Sequence, residues 1–274
     1  MWLVHKIYDL SLRLWFFIFD RLILYPIMRY LSPALGIQFM NLGYWPTERS
    51  AVKDTQMVAV VEKYSLEADL DRPHYYLYER SLMVHPDYPL LDGLQLLEVG
   101  CGQGNGMKWV ERAHPRIQCV KGVDRCALDN ADTVSGDAHH LPFENHQFDI
   151  VLNVESSHLY RDCEQFFREC ARVLKRGGYL CWIDLRYQTQ VNETRRQAMR
   201  AGFVEERWDD VTENVLQGIE RTAARYDKML LKVPFFVRLF STSLRATYCA
   251  PGTHTHARFM NKEKGYYSAL WRNK

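Results

Sequence analysis

Glu98, Asp124, Asn153 and Asp184 each stand at or near the end of an apolar run, and Glu155 and His158 follow just beyond one. In an open α/β sheet such positions face the ligand crevice outside the carboxyl ends of the strands. A carboxylate there accepts from hydroxyl or ammonium groups. An imidazole titrates near neutrality and can take a hydroxyl proton. His158 is the candidate base, Glu155 its candidate orienter or a contact for substrate polar groups, and Asp184 the reserve base; the alternative for His158 is a structural role at a helix start. Asp124 lies 26 residues past Glu98, near the spacing at which a nucleotide fold sets an acid on ribose hydroxyls. Between these two acids glycine falls at every second position: Gly100, Gly102, Gly104 and Gly106.

The elements that must position these groups can be read around them. Leu96-Leu97-Glu98-Val99 suits a buried parallel strand, and the glycines after it suit a tight turn that opens a helix and lets a ligand approach the main chain. Gln118 to Asp124 reads as a second strand, Phe148 to Glu155 as a third with its exit loop, and Tyr179 to Leu185 as a fourth. Glu164 to Leu174 reads as a helix with Phe166, Phe167, Cys170, Val173 and Leu174 on one face, closed by Lys175-Arg176-Gly177-Gly178.

The set resembles the class I S-adenosylmethionine-dependent methyltransferases. Carrying the resemblance are Glu98-Val99-Gly100-Cys101-Gly102-Gln103-Gly104, Gly122-Val123-Asp124, Gly136-Asp137-Ala138 with Leu141-Pro142-Phe143, Phe148-Asp149-Ile150-Val151 and Val173-Leu174-Lys175-Arg176-Gly177-Gly178. A narrower likeness, through Asn41-Leu42-Gly43-Tyr44-Trp45, Leu152-Asn153-Val154-Glu155-Ser156-Ser157-His158 and Val211-Thr212-Glu213-Asn214-Val215-Leu216, is to the mycobacterial phthiotriol and phenolphthiotriol dimycocerosate methyltransferases. The resemblance implies a Rossmann-like α/β fold. Its sheet has seven mostly parallel strands with helices on both faces, plus helical N-terminal and late-insertion lids. It also implies S-adenosylmethionine as cofactor and S-adenosylhomocysteine as product. Gly100, Gly102 and Gly104 would bring the backbone to the methionine portion and Glu98 would face its ammonium end, with Asn153 nearby. Asp124 would take the ribose, and Asp137 with the Ala138 N–H the adenine. Tyr44 would stand near the sulfonium, its alternative being core packing. The implied reaction is O-methylation of a hydroxyl on a lipophilic small molecule. The alternatives are a sterol-type C-methyltransferase and a catalytically impaired cofactor-binding protein. A nicotinamide oxidoreductase would share the glycine loop but not Gly136-Asp137-Ala138 with Leu141-Pro142-Phe143. One departure stands out: Asp124 and Asp137 are 13 residues apart, and Cys126 to Asp132 leaves room for about two helical turns. A clipped helix or loop is expected there.

The chain is 274 residues long and 47% hydrophobic, enough for a sizeable core. Its net charge of +2 argues against general nucleic-acid binding. From Arg221 to Lys274, however, 11 Lys or Arg face only Asp227 and Glu263, a balance suited to a membrane surface, an anionic substrate or a solvated face. Seven cysteines without CxxC spacing suit a reducing, cytoplasmic compartment, and no metal site is expected from the histidine pairs. Trp2 to Leu31 is aromatic and aliphatic but broken by Asp20-Arg21. It reads as an amphipathic helix that packs as a lid or lies in a membrane plane, rather than one that spans. The expected organisation is a helical extension over 1–70 and a methyltransferase domain over 71–274, with a lid insertion near 212–248 kinked at Pro234. Oligomeric state is not legible.

Overall fold

The apolar runs pair into one sheet of seven strands in the order β3-β2-β1-β4-β5-β7-β6, in a computed structural model that describes residues 38–66, 69–125, 127, 130–231, 235–238 and 241–274. The helix expected within Trp2–Leu31 and the kink at Pro234 lie outside the described residues. β1 (Gln95–Val99), β2 (Cys119–Asp124), β3 (Thr133–Ser135), β4 (Phe148–Val154) and β5 (Leu174–Tyr187) are parallel. β7 (Lys264–Asn273) runs antiparallel between β5 and β6 (Phe203–Asp210). The order reverses between β1 and β4, so the crevice where such a sheet binds ligands lies at their carboxyl ends.

Alternation along each strand feeds two cores. Leu96, Ile150, Leu152 and Ile183 pack with α1 (Ala51–Tyr64), α2 (Arg72–Leu82), α3 (Asn105–Ala113) and α6 (Thr212–Leu230). Leu97, Val99, Val151 and Trp182 pack with α4 (Cys163–Val173) and α5 (Gln188–Arg200). Among the described residues three short helices, α7 (Phe235–Arg238), α8 (Ser241–Thr247) and α9 (His254–Met260), precede β7. Helix α4 begins where the Asp162 side chain accepts from the Gln165 N–H, and it buries Phe166, Phe167, Cys170 and Val173. It ends at Val173, ahead of the expected glycine cap, because Leu174 already pairs with Phe148 in the sheet. No helix is described between Asp124 and Thr133; instead the Asn130 carboxamide accepts from the Asp132 and Thr133 N–H groups and turns the chain directly into β3.

Residues 38–45 form a strap over the crevice. Its anchors are Asn105 Nδ2 to the Gln38 carbonyl (2.9 Å), the Leu42 N–H to Glu155 (2.7 Å), the Tyr44 N–H to the Pro73 carbonyl (2.8 Å) and the Trp45 N–H to the Asn214 carbonyl (2.9 Å). The strap lies so close to α6 that a Cβ on Gly218 would meet the Gly43 carbonyl carbon at 2.6 Å.

Candidate active site

The glycine turn is built as its spacing predicts. Gly100, Gly102 and Gly104 take φ of 84°, 55° and 76°, the left-handed region that side chains resist. Gly104 is the N-cap of α3. Nothing lies within 4 Å of where a Cβ on Gly102 would be, so the backbone is open there. The Gly102 N–H donates to Asp124 Oδ2 (3.1 Å), which ties the turn to the end of β2. Gly106 has a different reason: a Cβ there would strike the Tyr78 ring at 2.0 Å. Its absence lets the Tyr78 hydroxyl reach Glu98 Oε1 at 2.6 Å.

Glu98 and Asn153 are buried, and each keeps one oxygen without a partner among the described residues: Glu98 Oε2 and Asn153 Oδ1. Asn153 Nδ2 donates to the Val99 carbonyl (2.8 Å) and Ser156 Oγ (2.7 Å), and the carbonyl can only accept, which fixes the orphan as the oxygen. Burial pushes the Glu98 carboxyl up to about 7. Orphaned buried acceptors are costly, and these two stand at the adjacent ends of β1 and β4. A donor-rich, cationic group such as an amino-acid ammonium is what they fit. At the other end of the site, Asp137 is partly exposed and both its oxygens are engaged. Oδ2 accepts from Arg125 (2.7 Å), while Oδ1 accepts from the His139 N–H (2.9 Å) and contacts His139 Nδ1 (2.5 Å). Burial works against the ionised form, but these partners win and hold Asp137 well below the usual carboxylate range. Ala138 is buried beside it in the α4–α5 core.

The strongest geometry lies beyond β4. His158 Nδ1 meets Asp184 Oδ1 at 2.7 Å, and the His158 N–H donates to Asp184 Oδ2 at 2.8 Å. Ser157 Oγ donates to the same Oδ2 (2.6 Å), and Arg186 stands 3.1 Å from it. Asp184 is wholly buried. Burial alone would raise its pKa, but His158 and Arg186 hold it well below the usual range. A carboxylate facing Nδ1 fixes the proton there, so the neutral ring carries its lone pair on Nε2. The His158 side chain is 22% exposed. Asp184 is therefore placed behind His158, and Glu155 does not touch the imidazole. Glu155 sits at φ 46°, its Oε2 accepting from the Leu42 N–H and from the Tyr266 hydroxyl (2.6 Å). Burial pushes its carboxyl up to about 8.

Tyr44 takes the packing alternative. It is 1% exposed, and its hydroxyl donates to Asp54 on α1 (2.7 Å), so it is core and offers no face to a cofactor. Three partners escaped the sequence reading: Ser157, Arg186 and Tyr266. The one signal for them was Asp184 and Arg186 on the same face of an otherwise apolar strand. Among the described residues no group of side chains is arranged to hold a metal, and no helix is long and apolar enough to cross a membrane.

Residues 97–182 match the family described as a methyltransferase domain. A phthiotriol/phenolphthiotriol dimycocerosates methyltransferase of Mycobacterium leprae is 30% identical over 78% of this chain and 78% of its own. The chain belongs to that methyltransferase family. A fatty-acid O-methyltransferase of Mycolicibacterium smegmatis is 33% identical over 52% of this chain and 56% of its own. Among solved structures, geranyl diphosphate C-methyltransferase from Streptomyces coelicolor superposes with a TM-score of 0.57 at 18% identity, over 89% of this chain and 93% of that one, which shows the shared fold. Like the family, this protein is an S-adenosylmethionine-dependent methyltransferase, and the orphan acceptors Glu98 Oε2 and Asn153 Oδ1 fit its cofactor's ammonium end.

Proposed function

We propose that the protein methylates a hydroxyl oxygen on a lipophilic small molecule, with His158 as base and Asp184 as its positioning partner. The carrying observation is the contact of His158 Nδ1 with the buried Asp184, which leaves Nε2 as the basic nitrogen of the ring. When bound, S-adenosylmethionine supplies an electrophilic methyl group; the protein supplies orientation, water exclusion and the base. Glu98 and Asn153 would hold its ammonium group, Gly100, Gly102 and Gly104 its methionine portion, and Asp124 its ribose. Asp137 and Ala138 would take the adenine, which requires the exposed Arg125 to give way. Glu155, with Oε1 not taken by a described residue, would receive the acceptor's polar groups. The lipophilic acceptor is supported by the relatives' named substrates, dimycocerosates and fatty acids, and by the aromatic, aliphatic make-up of residues 1–70 and 212–248, which we assign as lids.

We also assign a peripheral membrane contact to the chain just past α6, where Leu231 and Phe235 are each 70% exposed near Arg238 in sequence. Loss of the protein from anionic vesicles as salt rises is the expected result; no vesicle binding at low salt removes this assignment.

The main reading is tested by incubating the protein with isotopically labelled cofactor and long-chain hydroxylated lipids. A labelled methyl ether is expected. Label on carbon, or tight S-adenosylhomocysteine binding without any methylated product, would replace it by the C-methyltransferase or the impaired-enzyme reading.

A further inference from the structure

The basic excess of the C-terminal segment does not behave uniformly. Arg225, Arg245 and Arg272 are paired with Asp71, Asp227 and Glu206. Arg221 stacks on the Trp45 ring. Arg258 and Lys264 are different: both are half-buried, and among the described residues neither forms an ion pair with a carboxylate. They converge on one aromatic ring. Arg258 Nη1 donates to the Tyr187 hydroxyl at 2.5 Å with its guanidinium carbon 5.7 Å from the ring centroid, and Lys264 Nζ stands 4.5 Å from the same centroid. The ring attracts either cation, but it does not cancel the repulsion between them. Burial, and then the Arg258 charge, depress the Lys264 pKa. Asp184 and Cys249 act on Lys264 in the opposite sense, and burial and Arg258 outweigh them. Two half-buried like charges with no carboxylate in contact among the described residues are a fitting environment for an anion.

Their place in the fold gives the anion a role. Tyr187 and Lys264 are register partners at the carboxyl end of β5 and the start of β7, on the crevice side of the sheet. Lys264 shares a strand face with Tyr266 two residues on, and the Tyr266 hydroxyl donates to Glu155. We propose that Arg258 and Lys264, astride Tyr187, bind an anionic group of the methyl acceptor, a carboxylate or a phosphate. This rests on the lipophilic hydroxyl acceptor proposed above. The anion is not the methylated oxygen. Asp184, which sets His158, lies three residues back along β5 and on the opposite face, about 10 Å away at ~3.3 Å per residue. The acceptor is thus an amphiphile, with the hydroxyl at one point and an anionic handle at another.

Equilibrium binding to the full chain with S-adenosylhomocysteine present tests this, using an ω-hydroxy fatty acid, the chain-matched ω-hydroxyalkyl phosphate and the chain-matched neutral diol. At least one anion is expected to bind roughly 10- to 150-fold more tightly than the diol, the range of charge-assisted hydrogen bonds; which of the two binds more tightly names the group. Lys264→Met and Arg258→Met should each erode that preference while diol and S-adenosylhomocysteine binding stay unchanged, and Lys264→Arg should keep it. Equal binding of all three probes, or a preference that survives Lys264→Met, overturns the anion site and leaves the lipophilic reading standing. Failure of the diol and both anions to bind overturns both.

Discussion

Glu98 and Asp184 are both buried carboxylates near the carboxyl ends of parallel strands, yet their surroundings push them in opposite directions. Glu98 has one neutral donor, Tyr78, and an orphaned Oε2, and burial raises it to about 7. Asp184 is met by His158, Ser157 and Arg186 and is held low. On the proposed reading the first takes a cation from outside, whereas the second, already met by donors, positions the imidazole it faces. Residue type and strand position do not decide between a binding and a positioning role; the count and charge of tertiary partners do.

The comparison breaks most visibly at His158. His158→Ala should lower kcat by about 10²–10⁴, the usual value of a positioned base. S-adenosylhomocysteine affinity, read by calorimetry, should stay within about twofold. A wild-type rate would leave Asp184 with nothing to position. On the cofactor side Asp124→Ala removes a charged acceptor. It should weaken cofactor binding by roughly 10- to 150-fold and leave turnover at saturating cofactor much less affected. If Asp124→Ala spared affinity while abolishing turnover, the two sides would have exchanged roles.

Glu98 gives the comparison a pH axis. Its folded pKa of about 7 lies above the usual 4.5, so the folded state holds the proton more tightly than the unfolded chain. Its contribution therefore favours the cofactor-free fold below pH 4.5 and declines as pH rises toward 7. Glu98→Gln should recover about 3 kcal/mol of cofactor-free stability at pH 8 relative to wild type. The same variant should bind S-adenosylhomocysteine more weakly at pH 8. Wild-type affinity should fall as pH drops below 7, approaching tenfold per unit, while the variant stays flat. A pH-independent wild-type affinity would detach Glu98 from the ammonium group.

The glycine turn, its strand and Asp124 were legible because an apolar run, left-handed glycines and a strand-end acid are local constraints. The Asp184 role was not, since in sequence it is a strand-end acid like Glu98. Its partners come from Ser157 and His158, 27 and 26 residues away. The end of α4 was misplaced for a similar reason: Lys175 to Gly178 looks like a cap, but pairing of Leu174 with Phe148 draws the chain into β5 first. The engagement of Asp137 by Arg125 and His139 could not be read from the sequence either, since both contacts depend on how the folded chain turns after Asp124.

Tyr44 carries the smallest effect and separates core from site most cleanly. The sequence left it open between a cofactor contact and core packing; the fold puts its hydroxyl on Asp54, a buried residue of α1. Tyr44→Phe keeps the ring and removes one hydrogen bond to a buried carboxylate. Such bonds are worth about 1.5–3 kcal/mol, so thermal or denaturant unfolding should register a loss of that order. Because the ring presents no surface to the crevice, cofactor affinity and kcat should move by less than about twofold at temperatures where the variant is folded. The opposite pattern, intact stability with a tenfold loss of cofactor affinity, would return Tyr44 to the binding site. It would also mean that the strap leaves the conformation seen here when the cofactor binds.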